Sequence, residues 1–164
     1  MHRSIPALAC LLLLGLSTPG AWAGEASAVM DARIELVNNC RVTARNLDFG
    51  VRDTLVVSID ASTTLDVACT NRGPFTVRFD RGAGPGASFD ERRLSNGVDT
   101  VNYALFADAA RSQVLGDADS GRVELTGLGD GEVQTFNVFG RVFAGQGAKS
   151  PGVYTDTVTA TLGF

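Results

Sequence analysis

Residues 152–164 read GVYTDTVTATLGF, and their side chains alternate. Thr155, Thr157, Thr159 and Thr161 fall on one side; Tyr154, Val158, Ala160, Leu162 and Phe164 fall on the other. A period of two is the signature of a β-strand, whose successive side chains point to opposite faces. Threonine is β-branched and suits a solvated pleated surface. One wet face and one apolar face fit an antiparallel sheet buried on a single side. Asp156 is the one polar residue on the apolar side, and the pattern runs through Phe164, the last residue of the sequence.

Upstream, short segments of the same kind recur, separated by turn residues. RVTARNLDFG predicts a strand ending at Gly50, and TTLDVACT aims Leu65 and Val67 toward Cys69. PFTVRFD places Phe75, Val77 and Phe79 on one face before RGAGPG interrupts it. VDTVNYALFAD sets Val101, Tyr103 and Leu105 together. VQTFNVFGRVFAG, from Val133, is partly apolar on both faces, which predicts a central strand covered on both sides. DAARSQVLGD, residues 108–117, offers at most a turn or two of helix, limited by Gly116 and its aspartates. SNG at Ser95–Gly97 reads as a turn. Many short strands with glycine-rich turns predict one all-β domain, an antiparallel β-sandwich.

The beginning of the chain reads as a secretion signal. His2 and Arg3 precede the apolar run LACLLLLGL, which is too short to span a bilayer, and AWA supplies small residues for cleavage after Ala23. Cys10 lies inside that run, so a lipid anchor is not expected. Residues 1–23 are therefore assigned to a cleaved signal peptide, and no membrane insertion of the mature chain is expected. Cleavage leaves 141 of the 164 residues, without His2, Cys10 and Trp22. Two cysteines remain, Cys40 and Cys69. In an oxidising compartment such a pair reads as one disulfide, against the alternative of two buried thiols. It would close a loop of roughly 30 residues, worth on the order of 3–4 kcal/mol.

Directly behind the signal stands AVMDARIELVNNC, residues 28–40. Ala28, Met30, Ala32, Ile34 and Leu36 alternate with Asp31, Arg33 and Glu35, which again predicts a strand with one apolar face. The pattern alone does not say whether this strand joins its own sheet or another molecule's.

The chemistry the composition excludes is as informative. Net charge is −4, one unit more negative once Arg3 is removed, with a single lysine at Lys149 and no basic run. A nucleic-acid surface would want a basic stripe, so no nucleic-acid partner is expected. Without a mature histidine there is no Ser-His-Asp or Cys-His arrangement and no histidine-bearing zinc site. Asp90 and Glu91 are adjacent, and neighbours on a strand face opposite ways, a poor acid/base couple. DADSG, from Asp117, resembles the start of a calcium loop, but Leu128 stands where the twelfth-position glutamate would be, so it reads as an acidic turn. RGAGPG precedes no helix and lacks Gly-Lys-Ser. Phe75, Phe79, Phe136 and Phe139 alternate as core residues do, rather than forming a sugar platform. No enzyme, cofactor or metal is expected.

The stretches NNCRVTARNLDFG, LDVACTNRGPFTVRFDRG, RRLSNGVDTVNYALFADAARSQVLGD, NVFGRVFAGQ and GVYTDTVTATLGF run in order through most of residues 38–164. Together they resemble the spore coat protein U domain shared with archaic (Csu-type) chaperone–usher pilins. The cysteine spacing, the GRVxAGQ-like turn and the GxYxDxVxxxxxF terminus are the specific parts. Phe143 stands where the family often has proline, and Leu94 where methionine is common.

The resemblance implies an immunoglobulin-like β-sandwich, residues 38–164, that is one strand short. It implies a periplasmic chaperone that lends a strand, and an outer-membrane usher that exchanges it for the N-terminal strand of the next pilin subunit. Residues 24–37 would then be a donor segment, with Ala28, Met30, Ala32, Ile34 and Leu36 entering the neighbour's groove. The chaperone-contacting strand would be the C-terminal one, through Tyr154, Val158, Ala160, Leu162 and Phe164 with its carboxylate. The expected function is a structural subunit of a surface pilus or coat, passing through the periplasm to the cell surface. The alternative is a stand-alone coat or carbohydrate-binding surface protein.

Overall fold

The computed structural model describes residues 24–164. The proposed signal peptide, with His2, Cys10 and Trp22, lies outside the described residues. The compact unit Glu35–Phe164 carries eight strands. They are β1 (Cys40–Ala44), β2 (Ile59–Cys69), β3 (Pro74–Phe79), β4 (Arg92–Ser95), β5 (Thr100–Phe106), β6 (Leu125–Leu128), β7 (Val133–Val142) and β8 (Ala160–Gly163). One sheet runs β1-β2-β7-β5-β4 and the other β6-β3-β8, all pairs antiparallel. The expected all-β sandwich is thus present.

Its core is built from the inward-pointing rows of both sheets. Leu65 and Val67 of β2, Phe75 and Val77 of β3, Tyr103 and Leu105 of β5, and Val138 and Val142 of β7 form one buried cluster. β7 lies between β2 and β5, the central place its two apolar faces predict. Its inner row holds Phe136, edge-on to Phe75 at 6.0 Å. On its outer face, Phe139 is covered by the Arg111 guanidinium 5.9 Å from the ring centre. Arg111 also reaches Asp60 (3.2 Å), which Arg141 grips with two hydrogen bonds of 2.7 and 2.8 Å.

Cys40 and Cys69 are bonded, their Cα atoms 4.1 Å apart and 29 residues apart in sequence. They are register partners at the foot of β1 and β2. The hydrogen-bonded pairs flanking them use odd β1-side positions, such as Thr70 N–H to Asn39 O. Cys40 and Cys69 therefore occupy a close, non-hydrogen-bonded pair, where an antiparallel ladder brings side chains nearest.

Four details differ from the sequence expectations. Residues 24–39 carry no strand or helix, so AVMDARIEL is not laddered into this fold. A strand needs a partner for its backbone groups, and alternation does not provide one. For the same reason β1 stops at Ala44 instead of Gly50, and in 152–164 the strand covers only Ala160–Gly163. The helical turn falls at Ala118–Ser120, beyond the DAARSQVLGD stretch, with Asp117 accepting from Ser120 N–H at its start. Finally, β4 and β6 have no counterpart in the apolar pattern. β6 holds Gly127, where a Cβ would sit 2.3 Å from the Phe75 ring. β4 begins with Arg92, which is buried in full.

Arg92 is a cation in the core without a carboxylate salt bridge. Its guanidinium donates to the carbonyl oxygens of Asp80 (2.8 and 3.1 Å), Phe89 (3.0 Å) and Leu115 (2.8 Å). Burial pulls its pKa down, and the neighbouring Tyr103 and Asp80 oppose that pull. A planar fork that satisfies three carbonyls at once ties the strand 3–loop–strand 4 region to residue 115.

Candidate functional site

Four strands are sheet edges, β1 and β4 in the larger sheet and β6 and β8 in the smaller, and two of them, β1 and β8, lie on the same side of the sandwich. On the first, Arg45 N–H donates to Thr64 O (3.1 Å) and Thr70 N–H to Asn39 O (2.9 Å), so odd residues face β2. Backbone groups alternate sides along a strand, and Val42 and Ala44 therefore turn their N–H and C=O outward. On the second, Asp80 N–H donates to Thr159 O (3.0 Å) and Ala83 N–H to Thr157 O (3.1 Å). Val158 and Ala160 thus point their backbone groups the other way.

Between these lips lies a cleft of about 660 Å³. Leu65, Phe79, Tyr103, Leu105 and Val138 form its floor; Leu47 and Phe49 stand on one wall, Tyr154, Val158 and Ala160 on the other. Phe49 packs edge-on to Tyr103 with ring centres 5.9 Å apart. Asn46–Phe49 and Val153–Thr157 line the cleft beyond the ladders, and β1 and β8 approach within 8 Å of each other. An apolar floor between two rows of backbone donors and acceptors is suited to an extended chain with alternating apolar side chains.

The polar exception of the C-terminal pattern holds one wall in place. Asp156 accepts hydrogen bonds from Tyr103 O–H (2.7 Å), Ala83 N–H (2.8 Å) and Gly84 N–H (3.1 Å). Burial, and then the Asp156 carboxylate, push the Tyr103 pKa far up, so the phenol stays a neutral donor. Gly82, at φ +83°, makes room: a Cβ there would lie 2.2 Å from the Asp156 carboxylate. At Gly84 a Cβ would lie 2.0 Å from Arg93 O. RGAGPG is thus the cradle of Asp156, and no phosphate loop.

The GRVxAGQ-like turn has a similar explanation. Asn102 N–H donates to Gln146 Oε1 (2.6 Å), and Gln146 Nε2 donates to Asn102 O (2.8 Å) and Phe143 O (2.9 Å). The Gln146 amide stands in for a strand backbone where the β5–β7 ladder ends.

Of the residues singled out in the sequence, Tyr154, Val158 and Ala160 line the cleft. Leu162 packs against the core, and Phe164 is 61% exposed. Thr155, Thr157, Thr159 and Thr161 are all exposed, as their alternation predicts. Ala28, Met30, Ala32, Ile34 and Leu36 are exposed, Met30 by 88% and Ile34 by 82%. Alternation marks the floor residues as inward-facing, as it does any core residue, and the RVTARNLDFG stretch marks Leu47 and Phe49 only as part of a strand. Asp156 carried a signal in the sequence, as the lone polar residue of its face; Arg92 carried none. Among the described residues, no cluster of three or more His, Cys, Asp or Glu side chains could hold a metal, and no helix is long and apolar enough to cross a membrane.

Comparison with known families gives a match to the spore coat protein U domain over residues 26–161. The chain belongs to the spore coat protein U domain family. The matched region begins ahead of β1 and so includes the whole alternating N-terminal segment, residues 28–36. No curated protein matches the chain. Among solved structures, this spore coat protein U domain is similar to a chain in the chaperone–tip adhesion subunit pre-assembly complex, CsuC–CsuE, from archaic chaperone–usher Csu pili of Acinetobacter baumannii. The TM-score is 0.57 at 19% identity, covering 78% of this chain and 40% of that one. At that identity the likeness is one of fold.

Proposed function

We propose that this spore coat protein U domain is a structural subunit of a surface pilus or coat, exported through the periplasm to the cell surface and assembled by donor-strand complementation. The observation that carries this reading is the open apolar cleft flanked by two unpaired edges. Its occupant is residues 28–36 of a second copy. That segment has the alternation the cleft asks for, and its apolar row is exposed in the chain that carries it. Burying Met30, Ile34 and Leu36 at ~1.5–3 kcal/mol each gives roughly 5–9 kcal/mol before ordering costs. Backbone hydrogen bonds to both lips add to this. Asp31, Arg33 and Glu35 would stay on the wet side, level with the threonine row.

Before assembly, a periplasmic chaperone would occupy the same cleft, holding Tyr154, Val158, Ala160, Leu162 and Phe164, and an outer-membrane usher would exchange it for the next subunit. The likeness in fold to a chain of a chaperone–subunit pre-assembly complex of Csu pili supports a chaperone as partner before assembly. The test is deletion of residues 24–36, which keeps Val37, whose carbonyl accepts from Asn71 Nδ2 at 2.7 Å. The truncated chain is expected to bind chaperone and to fail to polymerise. Normal polymerisation would overturn the reading.

A further inference from the structure

Leaving aside Leu36 of the donor row, the exposed large apolar side chains from residue 37 onward are Val51, 97% exposed in the loop after β1, and eight that fall at the two ends of the sandwich. At the end where β1 begins are Val37, Leu128, Val133 and Phe164, 57–70% exposed. Val37 precedes β1, Leu128 ends β6, Val133 opens β7 and Phe164 follows β8. At the opposite end are Val56, Val57, Val98 and Val153, 66–82% exposed. Val56 and Val57 precede β2, Val98 sits in the β4–β5 turn, and Val153 lies two residues before Thr155, which bridges Ser95 at the end of β4. Single exposed apolar residues are ordinary. Valines grouped in turns are not, because turns are built from Gly, Pro, Asn, Asp and Ser.

The exit of the N-terminal segment links the two ends. The Val37 carbonyl accepts from Asn71, whose own N–H donates to Asn38 Oδ1 (3.3 Å), and Asn39 N–H donates to Thr70 Oγ1 (3.1 Å). The chain is thus pinned to its own domain from Val37 on. Leu36 is the last residue of the alternating apolar row, so no slack separates the donor row from the domain behind it. Of the cleft lining, Asn46–Phe49 follow the end of β1 and Tyr154–Val158 precede β8, so both stretches lie toward the valine-rich end, beyond the part where β1 and β8 approach within 8 Å.

We infer that in the assembled polymer the valine-rich end of one copy packs directly against the β1-start end of the next copy. This rests on the donor-strand reading for the identity of the partner. Both ends mix charge signs, Arg52 and Asp53 at one and Arg72 and Asp130 at the other, so neither presents a one-signed barrier. The contact joins two different surfaces, which makes it heterologous, and such contacts propagate as an open filament.

Cysteine cross-linking tests this in polymers of the full chain. One tagged copy carries Val57→Cys and another Leu128→Cys; a second set carries Val98→Cys and Val133→Cys. Mild oxidation is expected to link copies in the opposite-end mixtures and not in same-end mixtures such as Val57→Cys with itself. Opposite-end yields no higher than same-end yields, in both sets, would overturn the inference. The chain lacking residues 24–36 separates the two readings. If it polymerises, the donor-strand reading fails; if it does not, and full-length polymers still give no opposite-end links, only the end-to-end contact fails.

Discussion

Two stretches with the same alternation end up in different states. Ile59–Cys69 is laddered to Val133–Val142 over ten register pairs and, from Leu65 to Cys69, to β1 on its other side. Residues 152–164 alternate more cleanly, yet only Ala160–Gly163 form a strand, paired on one side. The difference teaches that alternation reports which face is buried. It does not report whether a neighbouring strand exists to complete the hydrogen bonds.

That comparison can be broken from its laddered side first. Arg92→Leu leaves the carbonyls of Asp80, Phe89 and Leu115 without their donor, at about 1–3 kcal/mol per unsatisfied group, partly offset by no longer burying a charge. A net loss on the order of 3–5 kcal/mol is expected in denaturant unfolding. A loss below about 1 kcal/mol would mean that the buried cation is not what ties this region together. Cys40→Ser should cost about 3–4 kcal/mol and lower periplasmic yield. Unchanged yield and stability would show the ladder at this end to be self-sufficient.

The half-laddered side should respond locally. Asp156→Ala strands the Tyr103 hydroxyl and the Gly84 amide and leaves the Ala83 amide only its bond to Thr157 O, with an expected cost of about 2 kcal/mol. Hydrogen exchange should accelerate in residues 153–159 while amides of β2 and β7 hold. Equal acceleration in all of them would erase the distinction between the two regions. Even in the unaltered chain, the Val158 and Ala160 amides face the open edge and should exchange faster than those of β7. A peptide of residues 24–37 should slow them; no slowing at saturating peptide would count against the cleft as a strand site. Thr159→Val, on the wet face, should change stability by no more than about 0.5 kcal/mol.

The sandwich was legible because its faces are written in short periods: Leu65 and Val67, Phe75 and Val77, Tyr103 and Leu105 all point where their alternation says. The limits of strands were not, since Asn46–Phe49 leave the β2 ladder and Val153–Thr159 keep only separate backbone bonds, of Thr155 with Ser95 and of Thr157 and Thr159 with Ala83 and Asp80, which their own residues cannot encode. β4 escaped notice because a buried arginine opens it, and that burial depends on carbonyls 3, 12 and 23 residues away. β6 escaped because Gly127 is there to admit the Phe75 ring. The cleft walls Tyr154, Val158 and Ala160 were recognisable from family likeness and pattern together. Its floor was not, because a floor and a closed core use the same side chains.

The Cys40–Cys69 bond has a further consequence, one of force. A pull along the N-terminal segment reaches the domain at Val37 and passes three residues later into Cys40, at the first rung of β1. A five-residue edge strand loaded at one end would peel rung by rung, each small step yielding separately. The covalent rung stops that at its start and carries the tension into β2, the longest strand, which is laddered on both sides. Tension is then borne by many hydrogen bonds sheared together, the arrangement that resists stretching best.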